Sequence, residues 1–286
     1  MRTFFDCIPC FVRQALDTIR RVTDDEAVHE QLLREILPAL GKIDMHQAPP
    51  AMAQRIHRLI RKLTGTEDPY RDIKDHFNQL ALEVYPKLKK QVEDSDKPME
   101  MAVRFAIAGN IIDLGVKSHL PDSDIHDTIK QAMTAPLTGN VAEFSEAVAN
   151  AQDILFLTDN AGEIVFDRLL IELLPLEKVT VAVRGFPIIN DATMVDAEVA
   201  GLTTLVEVID NGTDAPGTVL RNCSESFRKR FDRADFIISK GQGNYETLNG
   251  EDKDIFFIFK VKCPMVARDT GYQIGSQILQ RSTPIS

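Results

Sequence analysis

Asp153-Ile-Leu-Phe-Leu-Thr-Asp159-Asn160-Ala-Gly-Glu163-Ile-Val-Phe-Asp167 is the stretch on which the reading of the chain turns. Ile154 to Leu157 is an apolar run short enough for a buried strand. It ends in Thr158, Asp159, Asn160 and Gly162, residues of turns and helix caps. Ile164, Val165, Leu169, Leu170 and Leu173 then recur at helical spacing. The unit is strand, polar loop, helix. In an open parallel sheet such a loop lies at the carboxyl end of its strand, where ligands bind. Asp159 and Asn160 put a carboxylate and a carboxamide there, hard oxygen donors of the kind magnesium or manganese takes. A helix opening after Gly162 aims backbone N–H groups at the same place, which suits a phosphate. An Asp-Asn pair after a strand is as often only a cap and a turn, so this loop alone does not choose.

Downstream the pattern repeats. Val179–Val183, Thr204–Val208, Phe236–Ser239 and Ile255–Phe259 read as further strands, and Val165–Leu174, Thr193–Ala200 and Ser224–Ala234 as helices between them. The alternation predicts an α/β fold with a mainly parallel sheet covered on both faces. Upstream the chain reads as helical. Phe11, Val12, Ala15, Leu16 and Ile19 make one stripe, and Val28, Leu32, Leu33, Ile36 and Leu37 another. Pro49-Pro50 and the Gly65–Pro69 segment punctuate the next helices, and Pro86 is expected to kink or break the one that starts after Tyr70. Met99 to Gly115 is an apolar helix that carries Asn110 and Asp113 on one face. After Pro136 the texture changes, and Val141–Asn150 is one more amphipathic helix. The boundary falls near residue 140, giving a helical unit over 1–140 and an α/β unit over 141–286.

In a parallel sheet the residues that follow each strand lie along one edge. Arg184, Asn190, Asp191 and Asp196 follow the second of these strands; Asp210, Asn211 and Asp214 follow the third. Lys240, Gly241, Gln242, Gly243 and Asn244 follow the fourth, and Lys260 and Lys262 the fifth. Oxygen ligands for a divalent cation beside lysine and glycine-rich backbone recur in phosphoryl chemistry. Each loop taken singly is also satisfied as a turn; their concentration on one edge is what carries the inference.

A formal net charge of −10 argues against a general nucleic-acid binder or a partner of anionic membranes. No apolar run approaches the roughly 20 residues of a membrane helix. An acidic Asp6 interrupts what would be the apolar part of a signal peptide, so a cytoplasmic protein is expected. Cys7 and Cys10 form a Cys-x-x-Cys that is structural, half of a metal site, or redox-active; Cys223 and Cys263 stand apart. There is no Gly-x-x-x-x-Gly-Lys-Ser/Thr loop, no complete dinucleotide fingerprint and no Gly-x-Ser-x-Gly elbow. All six histidines precede the α/β half. A carboxylate or a metal is therefore the economical activator of water.

Six segments occur in order: Asp6-Cys-Ile-Pro-Cys10, Gly109-Asn110-Ile-Ile-Asp113, Thr158-Asp159-Asn160-Ala-Gly-Glu163, Pro187-Ile-Ile-Asn190-Asp191-Ala-Thr193, Lys240-Gly-Gln-Gly-Asn244 and Lys262-Cys263-Pro264. Together they resemble the DUF89 family, in its prokaryotic branch with an N-terminal Cys-x-x-Cys, over nearly the whole chain. The resemblance implies a helical domain on a Rossmann-like α/β domain. It also implies metal-dependent phosphatase activity on small phosphorylated metabolites such as sugar phosphates or phosphopantetheine-like compounds. Carried over, the metal ligands are Asp159, Asn160 and Asp191, with Asp196 as the fallback third. Manganese, magnesium, cobalt or nickel would fill the site. Lys240 matches the family's phosphate-contacting lysine. The N–H groups of Ala161, Gly162 and Glu163 and of Gly241, Gln242 and Gly243 would share the phosphoryl charge. Arg184, Asn190 and Asn244 complete the substrate side, and Asn110 and Asp113 would shape access where the helical cap meets the sheet. Asp159 is read as a ligand, with a nucleophilic role as the alternative. Two other functions stay open: an S-adenosylmethionine-dependent carboxyl methyltransferase, proposed for eukaryotic relatives, and a non-enzymatic metal-binding module built on Cys7 and Cys10.

Overall fold

The computed structural model describes residues 1–112 and 133–282, with backbone only for 110–112. Five helices open the chain: α1 (Cys7–Val22), α2 (Glu26–Leu40), α3 (Pro49–Thr64), α4 (Arg71–Glu93) and α5 (Pro98–Ile112). The α/β part then runs β1 (Leu137–Gly139), α6 (Val141–Asn150), β2 (Ile154–Leu157), α7 (Glu163–Ile171), β3 (Val179–Val183), α8 (Met194–Val199) and β4 (Glu207–Asp210). It ends with α9 (Glu225–Arg233), β5 (Phe236–Lys240), α10 (Gln242–Leu248), β6 (Ile255–Lys260), α11 (Pro264–Thr270) and β7 (Gln277–Arg281).

The seven strands form one sheet in the order β1-β7-β6-β5-β2-β3-β4. Every pairing is parallel except β6 with β7. β2 lies between β3 and β5. The chain steps outward from β2 through β3 to β4, then returns to the other side of β2 to lay down β5 and β6. That reversal makes the carboxyl edge beside β2 the switch point, where the flanking loops part and leave room for a ligand.

Alternate residues of the central strands enter different cores, as a sheet covered on both faces requires. Ile154, Phe156, Phe236, Ile238, Phe256 and Ile258 pack with α4, α5, α6 and α7. Leu155, Leu157, Ile237, Phe257 and Phe259 pack with α9, α10 and Val266 of α11. Phe144 of α6 meets Phe256 edge-on at 5.2 Å between ring centroids. A separate cluster, including Phe11, Ile19, Leu32, Ile36, Ile56 and Ile60, holds α1 to α3 together.

Two expectations change, and two strands are added. α4 continues through Pro86 without a break. Phe77 and Ala81 before the proline and Leu88 and Val92 after it enter one core, which holds the two halves in one helix despite the missing N–H. β4 begins at Glu207, because Leu202–Thr204 is taken up by a 3-10 turn. β1 and β7 were not legible as strands: β1 has three residues, and β7 gains its identity by pairing with β1 and β6. β1 precedes residue 140, and α4 and α5 share their core with the sheet.

Two ionic clamps hold the helical layer over the carboxyl edge. Asp196 of α8 receives Lys74 and Arg71, each at 3.1 Å, and Asn78 Nδ2 at 2.9 Å. Asp214, in the loop after β4, receives Gln54, Arg58 and Arg61 from α3. Burial alone would raise the Asp196 carboxyl, but Lys74, the Thr193 N–H and hydroxyl, and Asn78 outweigh it and hold it below its usual range. A depressed folded pKa stabilises above the unfolded value of about 4 and is lost as pH falls through the folded one. Asp196→Asn is therefore expected to cost about 3 kcal/mol at pH 7 and less at pH 3, where protonation begins to narrow the difference from wild type. Urea unfolding at the two pH values measures it.

Candidate functional site

The loop after β2 and the loop after β3 are joined by main-chain hydrogen bonds. Ala192 N–H donates to Asp159 O at 2.8 Å, and Ala161 N–H donates to Asn190 O at 2.9 Å. These two bonds make an antiparallel bridge between Asn160 and Asp191. Arg184 N–H donates to Ala192 O at 2.9 Å, which seats the returning segment against the end of β3. Ile189, at φ 44°, takes a backbone region that β-branched residues avoid, and the turn is closed by the Asp191 N–H to Ile188 O at 3.0 Å. Asp159, Asn160 and Asp191 are thereby brought together, with relative exposures of 8%, 5% and 4%.

The electrostatics of this corner are unbalanced. Burial, then the charges of Glu163 and Asp191, push the Asp159 carboxyl well above its ordinary range, against the opposing pull of Lys262 and Arg184. Arg184 is buried and donates from Nε to Asp191 Oδ2 at 2.7 Å, with Nη2 4.0 Å from Asp159 Oδ1. Its guanidinium also reaches Asn244 Oδ1 at 3.3 Å and Thr218 Oγ1 at 3.5 Å. One guanidinium therefore serves two carboxylates. Gly241 comes closest from the β5 side: at φ 81°, a Cβ there would stand 2.0 Å from Asp159 Oδ2. Only glycine allows that approach.

Asn160 Nδ2 donates to Asp159 Oδ2 and to Glu163 Oε2, each at 2.8 Å. Among the described residues no three His, Cys, Asp or Glu side chains form a metal-holding group. The set here is two carboxylates and a carboxamide, all oxygen donors and all buried. That chemistry fits a hard divalent cation.

Asp196 is engaged in the clamp with Lys74, Arg71 and Asn78, and its Oδ2 accepts the Thr193 N–H at 2.8 Å. Lys240 is wholly buried, its ammonium donating to Ala106 O at 2.8 Å, Glu163 Oε1 at 2.7 Å and Asp167 Oδ1. Three of the backbone donors named for a phosphate are engaged within the protein: Ala161 with Asn190 O, Gly162 with Asn78 Oδ1 at 2.7 Å, and Gly241 with Ile258 O at 3.0 Å. Gly243 packs against the carbonyl of Pro216, and Gln242 bonds Glu246 and the Lys262 N–H. Asn244 is buried and spans Thr158 O and Lys240 O, at 3.0 and 2.8 Å, as a brace between β2 and β5. Asn190 is buried beside the bridge. Asp113 and the Asn110 side chain lie outside the described residues.

Asp167 joins the site without having been named for it, and Lys262, read only as a strand-end lysine, acts on it directly. Asp167 lies one helical turn after Glu163 on α7, a spacing that puts both carboxylates on one face. Lys262, just past β6, is half-buried and its charge acts on Asp159. Its signal was the lysine at that strand end.

Residues 3–278 match the model of the damage-control phosphatase ARMT1-like domain. The chain belongs to this family. As an ARMT1-like domain it is similar to a damage-control phosphatase of Archaeoglobus fulgidus, 36% identical with 95% of this chain and 96% of that protein aligned. A damage-control phosphatase of Pyrococcus horikoshii is 34% identical, with 99% of each chain aligned. The crystal structure of a DUF89 family protein from Pyrococcus horikoshii superposes with a TM-score of 0.90 at 32% identity, covering 99% of this chain and 100% of that one. These names support a phosphatase role for this ARMT1-like domain. No helix among its described residues is long and apolar enough to cross a membrane.

The contact at Gly241 yields a direct test. Gly241→Ala is expected to lower stability by about 2 kcal/mol or more, since a positive φ and a displaced Asp159 act together. Gly250→Ala meets nothing within 4 Å and is expected to change it by less than about 0.5 kcal/mol. Urea midpoints of the two variants give the comparison.

Proposed function

We propose that this protein is a metal-dependent phosphomonoesterase acting on small phosphorylated metabolites, of the sugar phosphate or phosphopantetheine-like kind. The observation that carries the reading is the bridge that sets Asp159, Asn160 and Asp191 side by side at the switch point of the sheet. These three residues would hold one divalent cation, manganese, magnesium, cobalt or nickel. When bound there, such a cation would supply positive charge toward phosphoryl oxygens and lower the pKa of a water it holds.

The chain's own groups account for the rest. Arg184 holds Asp191 by Oδ2 and fixes the direction in which that carboxylate faces. Lys262, half-buried just past β6, adds positive charge that acts on Asp159 and would favour a phosphate dianion nearby. Lys240 is left out of the phosphate contact, because its ammonium already has three acceptors. Burial of the three ligating residues limits competing water, which strengthens each charge interaction at the site.

Phosphate release from a panel of sugar phosphates and phosphopantetheine is expected to cease after chelation and to return with Mn²⁺ or Mg²⁺. Asp159→Ala and Asp191→Ala are each expected to lower kcat at least about 100-fold in the same assay. Turnover that survives the chelator, or full activity in either variant, would sink the reading. Methyl transfer from S-adenosylmethionine without phosphate release would replace it.

A further inference from the structure

Lys240, Glu163, Asn160 and Asp159 form one continuous chain of hydrogen bonds through the buried floor of the site. Lys240 Nζ reaches Glu163 Oε1 at 2.7 Å, Glu163 Oε2 accepts Asn160 Nδ2 at 2.8 Å, and the same Nδ2 donates to Asp159 Oδ2 at 2.8 Å. An ammonium has three hydrogens, and those of Lys240 go to Ala106 O, Glu163 and Asp167. A carboxamide nitrogen has two hydrogens, and both of Asn160's face carboxylate oxygens. Turned about its last torsion, the amide would set Oδ1 against those same acceptors with no hydrogen between them. That orientation loses two charge-assisted bonds and adds repulsion.

We infer that Glu163, held in place by Lys240, is a positioning residue that sets the amide orientation of Asn160 so that oxygen, not nitrogen, is offered to the cation. The inference rests on the metal-dependent reading above. An amide nitrogen is no ligand for a hard cation, so the orientation of this one group separates a three-oxygen site from a two-oxygen one. The packing leaves Glu163 little latitude. A Cβ on Gly109 of α5 would lie 3.0 Å from the Glu163 Cα, so α5 presses directly on the first turn of α7. Glu163 is 1% exposed and Lys240 is fully buried. The lysine thus acts from behind the site, two side chains removed from the cation.

Metal-stripped proteins titrated calorimetrically with MnCl₂ test this, with thermal unfolding as a check that each variant is folded. Glu163→Gln, which keeps the shape and can offer an N–H to Oδ1, is expected to bind Mn²⁺ about 10- to 100-fold more weakly. On p-nitrophenyl phosphate at saturating Mn²⁺ it is expected to lose kcat with KM unchanged. Asn160→Asp alone is also expected to weaken Mn²⁺ binding, since its new carboxylate faces those of Asp159 and Glu163. The double variant Asn160→Asp/Glu163→Gln is expected to bind more tightly than either single one, because a carboxylate offers oxygen in both orientations and the introduced carboxamide can donate to it. A purely structural role for Glu163 gives no such recovery. Wild-type Mn²⁺ uptake with an unchanged Glu163→Gln isotherm, or a double variant no tighter than the weaker single one, overturns this inference alone. Wild-type protein that takes up no Mn²⁺ overturns it together with the proposed function.

Discussion

Two main-chain hydrogen bonds, Ala192 N–H to Asp159 O and Ala161 N–H to Asn190 O, hold the arrangement on which the site depends. Each contributes only about 1 kcal/mol to stability. Their consequence is geometric. They fold the segment after β3 back onto the end of β2, so that carboxylates and a carboxamide from separate loops meet in a buried corner. The bridge is possible because β2 and β3 are parallel neighbours with matched register, Leu157 opposite Ala182, so both loops leave the sheet at one level.

The buried carboxylates around that corner are answered in different ways. Asp196 and Asp214 are met by cations of the helical layer: Lys74 and Arg71 for the first, Arg58 and Arg61 for the second. Removing one partner of such a pair leaves a charge without compensation, which is why these contacts fix how the helices sit on the sheet. Glu163 and Asp167 share Lys240. Burial would lower the lysine's affinity for its proton, but the charges of Asp167 and Glu163 override it and hold the ammonium above its ordinary range. Asp159 and Asp191 share one guanidinium with Asn244 and Thr218. In both of these pairs two buried carboxylates share one cation, whereas Asp196 and Asp214 each meet two.

Much of the framework could be read directly. The apolar runs that became β2, β3, β5 and β6 are buried along their length, and such strands announce themselves as short continuous apolar blocks. The amphipathic run Val141–Asn150 gave α6, and the structure adds Asn140 as its cap, the side chain accepting from Ala142 and Glu143 N–H. The segments that resisted reading share a cause. β7 alternates only weakly and β1 is three residues long, so nothing local distinguishes either from loop until a neighbour supplies the ladder. Pro86 carries a local rule that a shared core overrides.

Sequence alone determined which polar residues end the strands and on which edge of the sheet they would lie, because strands alternating with helices imply a parallel sheet whose strand-end loops share one edge. Only the tertiary structure decided which way each side chain turned. Asp191 joined Asp159 while Asp196 was drawn into a clamp, and Lys240 turned inward to Glu163 and Asp167. A carboxylate or an ammonium has the same chemistry wherever it stands in the chain. Its role is set by the partners that burial forces upon it, and those partners come from elements far away in sequence.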